Sequence, residues 1–264
     1  AAHEHPHHRG HHPPPPPHAY EYADEHGHQH AHAHEYGDAH EHPHQYRDQH
    51  PHPAAGDEYA DGAQVIAETL RKQNVKASFF FTGRFYRNPN FKASIEQLKR
   101  DGHYLGAHSD AHLLYVDWDD RRKLLLTRDE FEKDLNKNYA VMRRFGIKKS
   151  DAPFFLPPFE WYNRTISDWT SAAGLQLVNF TSGTGSNADY TTPAVKNYVS
   201  SEAIFQRIKN YEAGSESGLN GFLLLLHIGT APERTDKFYN RLDELLEFLR
   251  SKNYEPVRIE RLLK

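Results

Sequence analysis

The 264-residue chain contains no cysteine, which excludes disulfides, thiolate metal sites and a cysteine nucleophile. It also lacks any apolar run near the ~18 residues needed to cross a bilayer, so no membrane span is expected. A basic surplus is missing too: 32 Lys and Arg stand against 36 Asp and Glu, for a net charge of −4, which argues against a nucleic-acid partner. The most telling absence is local. Residues 1–55 hold no Ile, Leu, Val, Met, Phe or Trp. Such a segment cannot bury enough apolar surface to offset the entropy of ordering it, so a disordered tail is expected there. No signal-peptide pattern is visible, and the chain opens on Ala1 rather than Met, an opening compatible with a processed or trimmed N-terminus.

What the tail does contain is histidine and proline: 17 of the 21 histidines and nine of the 16 prolines. The run Pro13–Pro17 favours polyproline II. Clustered neutral imidazoles suit loose binding of extra metal ions, while the plainer reading of the composition is a linker or an artificial junction. Eight acids and two bases give the tail a charge of −6, leaving +2 for the remainder. With histidines near their reference pKa of ~6.5, the tail would swing from about −6 to about +11 between neutral pH and pH ~5.

From residue 56 onward the pattern becomes strand–helix alternation, so a tail at 1–55 and one domain at 56–264 are expected. Residues 61–74 read as a helix with Val65, Ile66, Thr69 and Leu70 on one face. Lys76–Thr82 is a short apolar run, a buried strand, and Phe91, Ile95 and Leu98 mark the next helix. His103–Gly106 follows as a strand. Thr127 and Glu130 form a capping box that opens a helix carrying Phe131, Leu135, Tyr139, Met142 and Phe145. Further strands are expected at 153–156 and 175–180, with a helix at 165–173 stopped by Gly174. A helix near 201–211, a strongly apolar strand at 221–227, a helix at 238–249 and a last strand at 255–259 complete the reading. Apolar strands alternating with amphipathic helices imply an α/β fold with a parallel sheet, whose chemistry lies at the C-terminal ends of the strands.

Only four histidines fall outside the tail: His103, His108, His112 and His227. His108 and His112 form H-x-x-x-H just after one predicted strand, and His227 ends another. Asp57 and Glu58 precede the first predicted helix. Two neutral imidazoles and a carboxylate suit Zn²⁺, or Co²⁺, Ni²⁺ or Fe²⁺, with positions left open for water and substrate. A second carboxylate could take a proton from water, and a further histidine could protonate a leaving group. Each residue also has a plainer role: solvated surface histidines, a satisfied core histidine at 227, and acids complementing a helix dipole.

In several ordered motifs the domain resembles the NodB-type polysaccharide deacetylases, carbohydrate esterase family 4. The stretch from Asn74 to Gly83 (NVKASFFFTG) is similar to the family strand that follows its first motif. Residues 107–112 (AHSDAH) match H-[ST]-x-x-H, residues 225–227 (LLH) match L-x-H, and Pro157-Pro158-Phe159 matches the end of R-P-P-[YF]. Gly56-Asp57-Glu58 occupies the place of T-F-D-D. The resemblance implies an irregular (β/α)7 barrel that removes acetyl groups from an acetylated glycan, as amides or esters, with one divalent ion. It implies His108, His112 and Glu58 as metal ligands, Asp57 as the base that activates water, and His227 as the acid. It implies an oxyanion contact near Phe159, a hydrogen bond from Ser109 that holds the metal-site loop, and a periplasmic or secreted location. Phe159, Trp161 and Tyr162 would offer a platform for sugar rings or pack as ordinary core aromatics. The polar loop 183–192, with Asp189, would line the site.

Three features depart from the family pattern. Glu58 stands where Asp is usual, and Leu156 stands where the family has an Arg that pairs with the catalytic carboxylate. Pro51 and Pro53 precede Asp57 and cannot donate ladder hydrogen bonds, so the first barrel strand is expected to be missing or degraded. These departures leave two rivals to an active deacetylase. One is a glycan-binding pseudoenzyme, and the other is a metal-buffering protein that acts through its tail.

Overall fold

The computed structural model describes residues 58–263. The readings for the tail, the first barrel strand and Asp57 lie outside those residues. Helix α1 (Ala63–Lys72) runs into strand β1 (Ser78–Phe81). Helices α2 (Gly83–Arg87) and α3 (Lys92–Arg100) follow, then β2 (Tyr104–Ala107). The long helix α4 (Arg128–Met142) leads to β3 (Phe154–Phe155), and α5 (Arg164–Ala172) leads to β4 (Gln176–Leu177). The chain continues through α6 (Ser201–Gly214), α7 (Leu242–Ser251) and α8 (Ile259–Leu262).

The four strands form one parallel sheet in chain order, β1-β2-β3-β4. Phe81 pairs with Ala107, Ala107 with Phe155, and Phe155 with Leu177, so the strand ends stay level. That alignment continues past the strands. His108 N–H donates to the Phe81 carbonyl, Leu156 N–H to Ala107 and Val178 N–H to Phe155. The residues after β2, β3 and β4 are thereby delivered to one rim.

The helices form as their apolar spacing dictates. In α4 the Thr127 hydroxyl accepts from Glu130 N–H and the Glu130 carboxylate accepts from Thr127 N–H, which closes the expected capping box. Phe131, Leu135, Tyr139 and Met142 are buried on its inner face. Phe145 falls beyond the helix in a 3-10 turn. In α1 the buried face is Ala63, Ile66, Ala67 and Leu70, and Val65 points outward, one step off the expected face. Gly174 ends the α5 region with φ +73, a left-handed angle that side chains disfavour.

Two strand readings need correction. Residues 222–227 form no ladder and are only half-buried. Leu223 is tied instead to the chain beyond β4: its carbonyl accepts from Thr181 N–H, and its N–H donates to the Thr181 hydroxyl. A ladder needs a regular neighbour, and here a side-chain hydroxyl replaces one of the backbone partners. Residues 255–259 form no strand either. Pro256 lacks an N–H, and the chain is tied down instead by Arg258 to the Gly102 carbonyl and Ile259 N–H to the Ser78 hydroxyl, after which α8 begins.

Candidate active site

Loop geometry locates the site before any side chain does. Among the described residues, six non-glycine residues have positive φ. Asn74 and Asn253 follow α1 and α7, where asparagine commonly ends a helix. The other four are Ser109 (φ 67), His112 (φ 53), Phe159 (φ 59) and Glu160 (φ 54), and all sit past the ends of β2 and β3. Left-handed backbone costs a side-chain-bearing residue roughly 1–2 kcal/mol, and such strain concentrates at functional sites.

The loop after β2 is held from below by α4. Asp134, buried on that helix, accepts from the Ser109 hydroxyl at 2.6 Å, from Asp110 N–H at 2.9 Å and from Ala111 N–H at 3.0 Å. One turn further, the Asn138 side-chain oxygen accepts from His108 N–H at 3.0 Å. Arg87 from α2 pairs with Asp110 on the outer side. Ser109 thus braces the loop. Neither Asp134 nor Asn138 was singled out in the sequence, although a carboxylate and an amide four residues apart on the apolar face of a helix were the available signal.

This bracing brings His108 and His112 together, with their Nε2 atoms 3.1 Å apart. His108 Nδ1 lies 2.9 Å from the Leu156 carbonyl. A carbonyl can only accept, so Nδ1 carries the proton and Nε2 of the neutral ring is a lone pair. Burial pushes His108 down to about 4, and burial followed by the neighbouring His108 holds His112 well below the usual histidine range. Two neutral rings whose Nε2 atoms face at this distance can share one proton or offer two donors to a cation. As a donor set they fit a divalent ion. Among the described residues no three His, Asp or Glu side chains are grouped to hold a metal, so Glu58, which is exposed, is not brought to the pair.

Leu156 is buried, so at this position the site has an apolar side chain and a backbone carbonyl that orients His108. His227 stands across the rim. Its Nδ1 lies 2.6 Å from one Asp189 oxygen, and its backbone N–H donates to the other at 2.8 Å. Burial disfavours the imidazolium, but the Asp189 charge and hydrogen bond and the charge of Glu160 outweigh it and raise the His227 pKa. Asp189 is itself buried, in the 3-10 turn Ser186–Tyr190, and the Tyr190 ring meets His227 edge-on. Fully buried Arg234 holds this loop by donating to the carbonyls of Thr191 and Val199 and to the Ser201 hydroxyl.

The aromatic residues divide in position. Phe159 meets the His112 ring at 4.3 Å and the Trp118 ring at 5.5 Å, both edge-on. Trp161 donates from Nε1 to the Asp117 carbonyl and carries the Arg121 guanidinium 3.7 Å over its ring, so one face is already covered. Tyr162 packs against the core. Trp118, which had no role in the sequence reading, therefore joins Phe159 beside the histidine pair.

Segment 59–62 docks beside the residues that follow His227. Gly62 N–H donates to the Ile228 carbonyl. The Asp61 carboxylate accepts from Thr230 N–H and the Tyr239 hydroxyl and pairs with Lys237. A Cβ on Gly229 would lie 2.3 Å from the Tyr59 backbone, so only glycine allows this approach.

Residues 55–178 match the family model for polysaccharide deacetylase. The uncharacterized protein YlxY of Bacillus subtilis is 27% identical over 202 residues, which are 76% of this chain and 52% of that protein. Peptidoglycan deacetylase PdaC from Bacillus subtilis superposes with a TM-score of 0.56 at 20% identity, covering 81% of this chain and 85% of that one. A carbohydrate esterase family 4 pseudoenzyme from Bacillus anthracis gives the same TM-score and identity, over 80% of this chain and 62% of that one. The family 4 carbohydrate esterase from Streptomyces lividans gives 0.55 at 15% identity, over 74% and 85%. The chain thus spans about half the length of the curated relative and under two thirds of the pseudoenzyme. No helix among the described residues is long and apolar enough to cross a membrane.

Proposed function

From its NodB-type fold of carbohydrate esterase family 4, we propose that the chain is a metal-dependent hydrolase that removes acetyl groups from a polysaccharide or oligosaccharide. The observation that carries this reading is the convergence of two neutral imidazoles, His108 and His112, at 3.1 Å between Nε2 atoms. They would hold the ion, and Glu58, which lies apart from the pair here, would have to move to serve as the carboxylate ligand. When bound, a divalent ion supplies Lewis acidity that polarises an acetyl carbonyl and makes water more acidic.

The chain's own residues would do the rest. His108 is kept in the ligating tautomer by the Leu156 carbonyl. Asp57 would accept the proton of the attacking water. His227, whose raised pKa favours the imidazolium, would give its proton to the departing sugar nitrogen or oxygen while Asp189 steadies the ring. Phe159 and Trp118 would border the bound sugar beside His112. Residues 56–264 would form the catalytic domain and residues 1–55 a tail able to take up additional ions. A glycan substrate fits a periplasmic or secreted protein.

The test is acetate release by the full chain from a panel of acetylated glycans, with Zn²⁺ or Co²⁺ and again with chelator. Chelator-sensitive release supports the enzyme and names the substrate class. The second reading, a glycan binder without turnover, is favoured by Leu156, whose buried apolar side chain stands in place of the family's Arg. Glycan binding with no release by the metal-loaded chain would select it.

A further inference from the structure

Arg234 is fully buried, and it lies seven residues past His227 in a segment without regular secondary structure. A guanidinium is always charged, so taking it out of water is costly unless acceptors surround it. Here Nη1 donates to the carbonyls of Thr191 at 2.7 Å and Val199 at 3.0 Å, and Nη2 donates to the Ser201 hydroxyl at 3.0 Å. The fork is not fully met. Among the described residues Nε has no hydrogen-bond partner, and the Asp236 carboxylate, 3.7 Å away, is taken up by the Tyr198 hydroxyl and Ser201 N–H. A buried charge with an unmet N–H adds little stability of its own.

The fork grips the backbone that leads to the site. Thr191, whose carbonyl it holds, donates to the Ala188 carbonyl from its N–H at 3.0 Å and from its hydroxyl at 2.7 Å. The same hydroxyl accepts from Val199 N–H at 3.2 Å. Ala188 precedes Asp189, whose carboxylate takes both the ring and the backbone N–H of His227. Hydrogen bonds from Arg234 through Thr191 and Asp189 to His227, and the chain from 227 to 234, thus close a circuit. The turn Ser186–Tyr190 that carries Asp189 has no ladder to fix it.

We propose that Arg234 is a positioning residue for His227: through Thr191 it fixes the turn that presents Asp189 to the imidazole. This rests on the reading of His227 as the acid of the site. The hydrogen bonds of Arg234 go to the backbone around Asp189 and to Ser201, so it acts by geometry and not by contact with the reacting groups. A lysine keeps the charge but has a single nitrogen, and the rigid fork that spans three acceptors is lost.

The experiment follows the His227 ring N–H by proton NMR in the full chain. A proton on Nδ1 bonded to the Asp189 carboxylate is held from exchange with water and resonates far downfield, and its disappearance in His227→Gln identifies it. In folded Arg234→Lys the signal is lost to exchange. Thr191→Val, which cuts the same circuit and leaves Arg234 in place, gives the same loss and serves if the lysine variant does not fold. Tyr139→Phe removes a buried hydrogen bond to the Ala152 carbonyl outside the circuit. It lowers the melting temperature and keeps the signal. A signal kept in folded Arg234→Lys, kept in Thr191→Val, lost equally from Tyr139→Phe or absent from the parent overturns the proposal. The readout needs no turnover, so the expected losses in a chain that releases no acetate would overturn the deacetylase reading while leaving Arg234 in its role. If the chain is active, kcat falls by about 10²-fold in Arg234→Lys while KM is unaltered.

Discussion

His227 and Asp189 meet twice, ring nitrogen to one carboxylate oxygen at 2.6 Å and backbone N–H to the other at 2.8 Å. A side chain attached to both the ring and the backbone of one residue leaves that ring little rotational freedom. It also raises the proton affinity of a buried histidine that burial alone would lower.

Asp189→Asn tests that pair. The amide keeps the size but loses the charge, so the His227 pKa falls toward and below the ordinary histidine value. Acetate release should drop by about 10²-fold or more, within the span usual for loss of general acid catalysis. Metal content, measured by atomic absorption, should not change.

The histidines should separate by function. His108→Ala is expected to abolish both tight metal binding and turnover. His227→Ala should retain the metal and lose most of the rate. A His227→Ala variant as active as the parent would remove His227 from its assignment.

Asp134 should matter to the metal without touching it. Asp134→Ala leaves the Ser109 hydroxyl and the N–H groups of Asp110 and Ala111 without their acceptor. Unmet buried donors cost about 1–3 kcal/mol each, so melting temperature should fall by several degrees. Metal affinity should fall by roughly 10- to 100-fold, as is usual when support for ligands is removed. Asp134→Asn, which keeps one acceptor oxygen, should recover part of both. Unchanged metal affinity in the alanine variant would show that the loop holds its shape alone.

Acid should unfold the metal-free chain early, and Glu160 should oppose the effect. His103 and His108 are held down to about 4 and His112 is lowered as well, chiefly by burial. Their stabilising contribution is complete above the unfolded value of ~6.5 and is lost as pH falls toward 4. Glu160 has the opposite sign. Its pKa is raised to about 7, so its contribution is complete below the unfolded value near 4.5 and is lost as pH rises through 7. Between pH 6.5 and 4.5 the histidines outnumber it, so thermal denaturation scans should show stability falling on acidification. Glu160→Gln should make the fall steeper, by an amount on the order of 1 kcal/mol per pH unit. An unaltered slope would mean that Glu160 titrates alike in the folded and unfolded chain.

The legible parts of the site were those carried by periodicity and by rare residue types. Of the four histidines outside a histidine-rich tail, three could be placed at predicted strand ends by counting, and those three lie at one rim. The Thr127–Glu130 capping box needed only local geometry. Asp134 and Asn138 were not legible, because a polar residue in a helix usually faces water, and only the packing of α4 beneath the loop turns them inward. Glu160 was hidden for another reason: its left-handed backbone angle shows only in three dimensions, and the motif around it directed attention to the prolines and Phe159. The run at 222–227 misled because apolar composition shows that a segment avoids water without showing that it has a ladder partner.

Composition and spacing alone determined the α/β class, most of the helix faces and the histidines available for chemistry. Those properties depend on which side chains recur within a few residues, and local chain geometry is enough to express them. Only the tertiary structure decided that Asp134 braces the loop after β2, that the Leu156 carbonyl selects the His108 tautomer, and that Asp189 meets His227. Each of those contacts joins residues 23 to 48 positions apart. Distances of that length in the chain become contacts only when level parallel strands deliver their following loops to one rim.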